Sequence, residues 1–460
     1  MQISPARRAA FEILRRVAEQ GAYSSVLLAN SDDDLNARDR SLCYELVLGV
    51  LRRQLWLDFV IEHCAARRID SLDWGVRVAL RLGLYQLRFL SKIPASAAIN
   101  ESVNLVKAAR LKSAAGFVNA VLRRATREPD YDPAARVSDT AEQLAIQTSH
   151  PRWLLERWTQ QFGAGWAAAI ACANNEPAAV AFRFTARALR DEETSPAEII
   201  NQLRAAGLVL IESEIAPGAW RIASVLDNTD ESGGRRQGGM PTLLRELAAA
   251  GLIYVQDEAS QMVARLLDVT RQDMVLDVCA APGSKSTLIA ALSPETTIVA
   301  GDFYEHRVRT IKGFAKQQQA NNLQFVVHDA TQELPFRPHL FARVLVDAPC
   351  SGTGTLRHNP EIRWRLKPSD FTELRDKQTA ILDHASVMVR PGGFLLYSTC
   401  SLERDENEDL VADFLNGQAD FNLAPLELGS DLLTETGAIR TWPHLHGVDG
   451  FFATVFQRKE

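Results

Sequence analysis

Two cysteines in this 460-residue chain stand in settings unlike those of the other four. Cys350 closes Asp347-Ala-Pro-Cys and opens the polar, turn-forming run Ser-Gly-Thr-Gly354. Cys400 lies in Tyr397-Ser-Thr-Cys-Ser401, where an apolar run ends in hydroxyls. Each pattern places a thiol in a cleft, where its thiolate can serve as a nucleophile. A free thiol with a pKa of ~8.5 is only a few per cent ionised at neutral pH, so such a role needs a site that lowers that value or deprotonates the thiol as substrate binds. Cys43, Cys64, Cys172 and Cys279 read as small buried hydrophobes. No CxxC pair occurs, which argues against zinc and against a disulfide-stapled fold; reduced thiols and no metal are expected.

Carboxylates recur in a matching way. After Asp257, short apolar runs alternate with helix-length segments: Met274 to Val278, Thr297 to Gly301, Leu323 to His328, Ala342 to Val346 and Phe394 to Ser398. This alternation predicts βαβ units around a parallel sheet, whose ligands bind outside the carboxyl ends of the strands. Asp277, Asp302, Asp329 and Asp347 fall at those ends. Any one of them reads most simply as a helix cap, but together they outline a binding edge. An acid ending the second strand of such a sheet accepts from ribose hydroxyls, which assigns Asp302 to an adenosine-bearing cofactor and Asp329 to the adenine or its surroundings.

The first loop, Cys279-Ala280-Ala281-Pro282-Gly283-Ser284-Lys285, has neither G-x-G-x-x-G nor a Gly before the Lys, so a pyrophosphate is disfavoured. S-adenosylmethionine carries adenosine without phosphates and fits a short tight loop. Arg307 joins this loop, Asp302, Asp329 and Asp347 in the expected cofactor set.

These motifs resemble those of the S-adenosylmethionine-dependent RNA cytosine-5 methyltransferases, the NOL1/NOP2/Sun family. The resemblance covers roughly Val255 to Lys459 and rests on LDVCAAPGSKS, DAPCSGTG, KQTAILDHA followed by VRPGGFLLYSTCS, ERDENEDLV and HGVDGFF. Where the family usually has Gly-Gly-Lys-Thr, this chain has Gly283-Ser284-Lys285-Ser286. The resemblance implies that Cys400 is the nucleophile adding to cytosine C6, and that Cys350 assists when the C5 proton and the enzyme thiol leave. DNA cytosine-5 enzymes place the nucleophile in a Pro-Cys motif, so the reverse assignment is the natural rival. By the same analogy Asp347 hydrogen-bonds the Watson–Crick edge of the cytosine, and Lys285 gives positioning or electrostatic support. The target base must lie in a loop or be flipped out. The acidic run Glu403 to Asp409 reads as a helix start that shapes the site only secondarily. Asp449-Gly-Phe-Phe452 reads as the start of a closing strand with core aromatics, and His306, His328 and His446 as structural.

Positioning these residues takes more than one domain. The length suggests about three domains, and 46% hydrophobic with 23% charged residues suits globular cores. Residues 1–130 show helical spacing throughout, with breaks at Gly21, Ser31 to Asp34 and Lys92-Ile93-Pro94. Residues 141–250 read as a small α+β domain, including a Gly-rich loop from Asp227 to Pro241 that holds Arg235 and Arg236. Residues 251–460 read as the Rossmann-like α/β catalytic domain.

Although the net charge is −6, residues 51–130 carry 14 Lys/Arg against 7 Asp/Glu, leaving −13 for the remainder. That asymmetry suits a module touching phosphates as well as it suits solvated arginines. The segments Asp39 to Gly49, Pro94 to Val106 and Gly116 to Arg123 resemble the NusB-type helical RNA-binding domain. A NusB-type domain joined to such a methyltransferase resembles a bacterial arrangement that implies 16S ribosomal RNA as partner. A transfer-RNA cytosine-5 methyltransferase and a non-catalytic RNA-binding assembly factor are the alternatives. Met1 to Phe11 has no apolar h-region and no 18-residue apolar stretch occurs, so a cytoplasmic protein without a membrane anchor is expected, by default a monomer.

Overall fold

The computed structural model describes residues 3–30, 35–191, 194–225, 240–271, 273–426, 429 and 431–460. The acidic break at 31–34 and the Gly-rich stretch 227–239, with Arg235 and Arg236, lie outside the described residues. The chain divides into two compact units.

The first unit holds residues 3–177 with 356–365 and is helical. Its apolar residues recur at three and four, so helices such as Pro5–Gln20 and Trp74–Phe89 bury one face; Ala10, Leu14, Leu46, Val50, Leu80 and Leu84 are at most 3% exposed. Pro5 opens the first helix and left-handed Gly21 closes it. Gly49 has no side chain because the Tyr85 ring occupies that space. Arg81 donates to both oxygens of buried Asp58, at 2.7 and 2.8 Å, so the buried charges are paired. Residues 356–365 are knitted into this unit. Glu361 accepts from the Ser24 amide at 2.7 Å and its hydroxyl at 2.8 Å. Fully buried Arg363 donates to Asn175 Oδ1 at 2.9 Å and the Ser149 carbonyl at 3.2 Å.

The second unit contains two sheets. The smaller runs β2-β3-β1-β4 and is antiparallel, from β1 (Ala181–Phe184), β2 (Leu208–Glu212), β3 (Ala219–Val225) and β4 (Ile253–Val255). Helices Pro196–Ala205 and Thr242–Ala249 pack against it through Ile199, Leu203, Leu244 and Leu247.

The larger sheet comprises β5 (Met274–Asp277), β6 (Thr297–Asp302), β7 (Leu323–Val327), β8 (Phe341–Asp347), β9 (Val389–Thr399), β10 (Phe421–Leu423), β11 (Ile439–Arg440) and β12 (Phe452–Arg458). Its order is β10-β12-β9-β8-β5-β6-β7, with β11 paired to β12. The strands from β5 to β9 are parallel, as their continuous apolar runs predict. β12 and β10 add antiparallel pairs, making the sheet mixed. Buried Val275, Leu276, Val344, Leu345, Leu395 and Leu396 fill both faces between the covering helices. No helix among the described residues is long and apolar enough to cross a membrane.

Candidate active site and cofactor loop

The strand order decides which strand-end residues meet. Reading from β9 through β8, β5 and β6 to β7, the edge carries Cys400, then Asp347 with Cys350, then Asp277 with Lys285, then Asp302, and last Asp329. Neighbouring strands lie about 4.8 Å apart. The thiols therefore cluster at β8–β9 and the Cys279–Lys285 loop with Asp302 at β5–β6, two halves of one edge.

At the first half, the sulfurs of Cys350 and Cys400 lie 3.2 Å apart. The hydrogen bond with Cys400, burial and the Glu406 carboxylate push the Cys350 thiol well above its ordinary range. The Cys400 carbonyl accepts the Gly354 amide at 2.9 Å, and the Gly354 carbonyl accepts the Gly450 amide at 2.9 Å. Both thiol loops are thus pinned to the turn before β12.

Glu406, in the short helical turn Arg404–Glu406, has no exposed surface. Its Oε1 accepts from the Ser351 amide at 2.9 Å and from Gln378 Nε2 at 2.8 Å. Its Oε2 accepts from Ser351 Oγ at 2.5 Å and from the Ser401 hydroxyl. Gln378 also donates to the Pro349 carbonyl at 2.9 Å, and Tyr397 Oη donates to the Glu406 carbonyl at 2.7 Å. A single carboxylate thus holds the serines that directly follow each cysteine. The acidic run was expected to act mainly as a helix start; helix Glu408–Gly417 does begin within it, but Glu406 points inward. The Cys-Ser pair repeated at 350–351 and 400–401, with an acid five residues after the second, was the signal for this network.

Asp347 joins the two halves. Its Oδ2 accepts from Lys285 Nζ at 2.6 Å and its Oδ1 from Ser398 Oγ at 2.8 Å. Lys285 is 5% exposed and stands 5.2 Å from the centre of the Phe451 ring. Phe451 and Phe452 are core aromatics, as expected, and Phe451 also flanks this lysine.

The loop after β5 turns tightly. The Ala281–Pro282 peptide is cis, Gly283 has φ +106°, and a Cβ there would press on Ile311 at 3.0 Å. The Gly283 amide donates to the Ala280 carbonyl at 2.6 Å, and the Ala280 amide to the Gly301 carbonyl at 2.8 Å. Helix Ser284–Leu292 starts directly behind. Asp277 is buried, accepts from Ser286 Oγ at 2.6 Å through Oδ2, and leaves Oδ1 without a hydrogen-bond partner. Burial pushes this carboxyl up to about 7; the Ser286 bond opposes that, and the Asp347 charge adds to it. Burial and the surrounding carboxylates push the Cys279 thiol up as well, which suits a structural thiol.

Asp302 accepts from the Ala281 amide at 3.3 Å and pairs with Arg307 at 3.3 Å; Arg307 also donates to the Ala281 carbonyl at 3.3 Å. Phe303 and Tyr304 follow, half exposed and edge to face. Asp329 stands apart from these clusters, accepting from the Thr331 amide at 2.9 Å and its hydroxyl at 2.7 Å, which holds its carboxyl below the usual range. His328 Nε2 lies 3.2 Å from the Val278 carbonyl, and His446 Nδ1 accepts the Trp442 amide at 2.8 Å.

Family comparisons follow the same three-part order. Residues 4–127 match the NusB family, 150–228 the ferredoxin-like domain of RsmF/B-like methyltransferases, and 264–457 the 16S rRNA methyltransferase RsmB/F. A Bacillus subtilis (strain 168) protein named as a probable ribosomal RNA small subunit methyltransferase B is 32% identical over 100% of both chains. The ribosomal RNA small subunit methyltransferase B of Erwinia tasmaniensis is 32% identical over 96% of each chain. The solved structure of PH0851 is 26% identical, with a TM-score of 0.83 over 100% of both chains. The chain is thus similar to these proteins from end to end, and the expected helical, α+β and Rossmann-like parts are all present.

Proposed function

We propose that this chain, which belongs to the RsmB/F family of S-adenosylmethionine-dependent 16S rRNA methyltransferases, methylates carbon 5 of a cytosine in 16S ribosomal RNA through a covalent adduct with Cys400. The observation that carries this reading is the pair of sulfurs 3.2 Å apart, beside a carboxylate already engaged by a buried lysine. Cytosine C5 is a poor nucleophile, and a thiolate bonded to C6 makes the ring enamine-like so that C5 can attack an electrophilic methyl group. A carboxylate alone would oppose a thiolate nearby; Lys285 at 2.6 Å offsets the Asp347 charge.

Asp347 keeps lone pairs free to accept from the cytosine N4 amino group. The two sulfurs are within hydrogen-bond distance, and once Cys400 is the thiolate the Cys350 thiol, pushed well above its ordinary range, is the donor of the pair. That bond lowers the cost of a Cys400 thiolate, in keeping with the family's assignment of Cys400 over the Pro-Cys alternative. It also stabilises the same sulfur when it leaves C6 after the C5 proton is lost. The base must leave its stack to reach this edge.

The loop side fits S-adenosylmethionine, which supplies the methyl group as a sulfonium. Asp277 Oδ1 lacks a donor that the α-ammonium would provide, and Gly283, where a Cβ would press on Ile311, keeps the loop backbone tight and bare. Asp302 takes the ribose hydroxyls, with Arg307 and Ala281 holding its carboxylate, and Phe303 and Tyr304 offer aromatic surface beside it. Asp329 flanks the adenine side. The basic residues 51–130 of the helical part supply phosphate contacts.

Incubation of the purified protein with labelled S-adenosylmethionine and either unmodified 16S RNA or bulk tRNA, followed by nucleoside analysis, tests the proposal. 5-Methylcytidine in 16S RNA is expected. The same nucleoside in tRNA alone would overturn the substrate, and a different labelled nucleoside would overturn the position.

A further inference from the structure

Among the described residues of the second unit Arg183 is the most deeply buried cation, 1% exposed, and it comes from β1 of the small sheet. Its guanidinium reaches the first turn of the helix behind the cofactor loop. Nη2 donates to the Ser284 carbonyl at 2.9 Å and to Thr287 Oγ1 at 2.8 Å. Thr287 Oγ1 in turn donates to the Gly283 carbonyl at 2.7 Å. Nε is held by Gln256 Oε1 at 2.9 Å, and the group lies over the Tyr254 ring at 4.9 Å. Two longer contacts, to the Phe184 carbonyl and Gln318 Oε1, are also to neutral groups.

Among the described residues no carboxylate pairs with this charge, and burial pushes the group down to about 9, so it is still a cation at neutral pH. A cation beside a helix N-terminus opposes the helix dipole, and in a dry interior that opposition is poorly screened. An anion bound nearby would offset that opposition. Helix N-termini accept anions, and the sole anionic group of S-adenosylmethionine is the carboxylate of its methionine end.

We propose that Arg183 is a positioning residue through which the small domain fixes the carbonyls of Gly283 and Ser284 and supplies the positive field that holds the cofactor's carboxylate. The proposal rests on the assignment of S-adenosylmethionine to this loop. It gives the small domain a part in cofactor binding in addition to any contact with RNA.

Binding measurements on the full chain test it without RNA. Isothermal titration compares S-adenosylhomocysteine, which carries the carboxylate, with 5′-methylthioadenosine, which has the same adenosine and thioether but no amino acid. In Arg183→Met, affinity for the first falls at least tenfold while affinity for the second stays within twofold; Arg183→Lys recovers part of the loss. Thr287→Val, which keeps shape and removes only the relay hydroxyl, weakens S-adenosylhomocysteine severalfold and serves even if Arg183→Met does not fold. Unchanged S-adenosylhomocysteine affinity in Arg183→Met, or in Thr287→Val should Arg183→Met not fold, would overturn the proposal, as would parallel loss of both ligands. Failure of the unaltered protein to bind either ligand would instead overturn the cofactor assignment itself.

Discussion

Cys350 and Cys400 are fifty residues apart in the chain, yet their sulfurs lie 3.2 Å from each other. The contact follows from β8 and β9 being adjacent and parallel, so that the loops leaving both strands share one edge. The two thiols form one unit, and removing either should have a different consequence.

Cys400→Ala should abolish methyl transfer while leaving cofactor affinity nearly unchanged. Cys350→Ala should let an enzyme–RNA adduct accumulate, visible as a shifted band on a denaturing gel. Full activity in the first variant, or an adduct surviving in it, would move the nucleophile to Cys350.

Glu406→Gln should leave the chain folded but misplace both thiols. The amide has one acceptor where the carboxylate has two, and its NH2 would face neutral donors. A shift of about 1 Å at a reacting group can cost on the order of a hundredfold in rate, so kcat should fall by about that factor with cofactor affinity within twofold. Steady-state kinetics combined with titration separate this from general unfolding, and an unchanged kcat would show that the network is not needed for catalysis.

Gly354→Ala is predicted to be severe. A Cβ there would overlap the Gly450 carbonyl oxygen and crowd the Cys400 carbonyl, both of which are backbone and cannot rotate aside. The strain should cost about 2 kcal/mol and lower the thermal midpoint measurably. It should also reduce activity, since the same backbone carries Cys400.

Asp277 should make both stability and cofactor binding depend on pH. Its carboxyl sits at about 7 in the fold against an ordinary 3.8. The folded chain therefore holds an extra proton between those values, and the free protein loses stability as pH rises through this window. The full effect is on the order of 4 kcal/mol. Binding of a cationic ammonium favours the ionised form, so cofactor affinity should tighten from pH 6 to 8 with proton release. Calorimetry in buffers of different ionisation enthalpy measures that release, which Asp277→Asn should remove. A flat profile in the unaltered protein would count against an ammonium at this carboxylate.

Much of this protein is legible along the chain itself. Apolar spacing of three and four marks the helical part, and apolar runs ended by acids or thiols mark β5 to β9, because both patterns are set by neighbours within one turn or one strand. Asp302, Asp347, Cys350 and Cys400 could thus be singled out before their partners were known. Their grouping could not. The Lys285–Asp347 pair spans 62 residues, Glu406 reaches 55 residues back to Ser351, and Arg183 reaches 101 residues forward to Ser284 from another sheet. Residues 356–365 follow the Cys350 loop in sequence but pack with the helical unit. Such contacts depend on strand order and on which buried polar groups find partners. Those are satisfied only when the whole unit closes around them, so no local pattern records them.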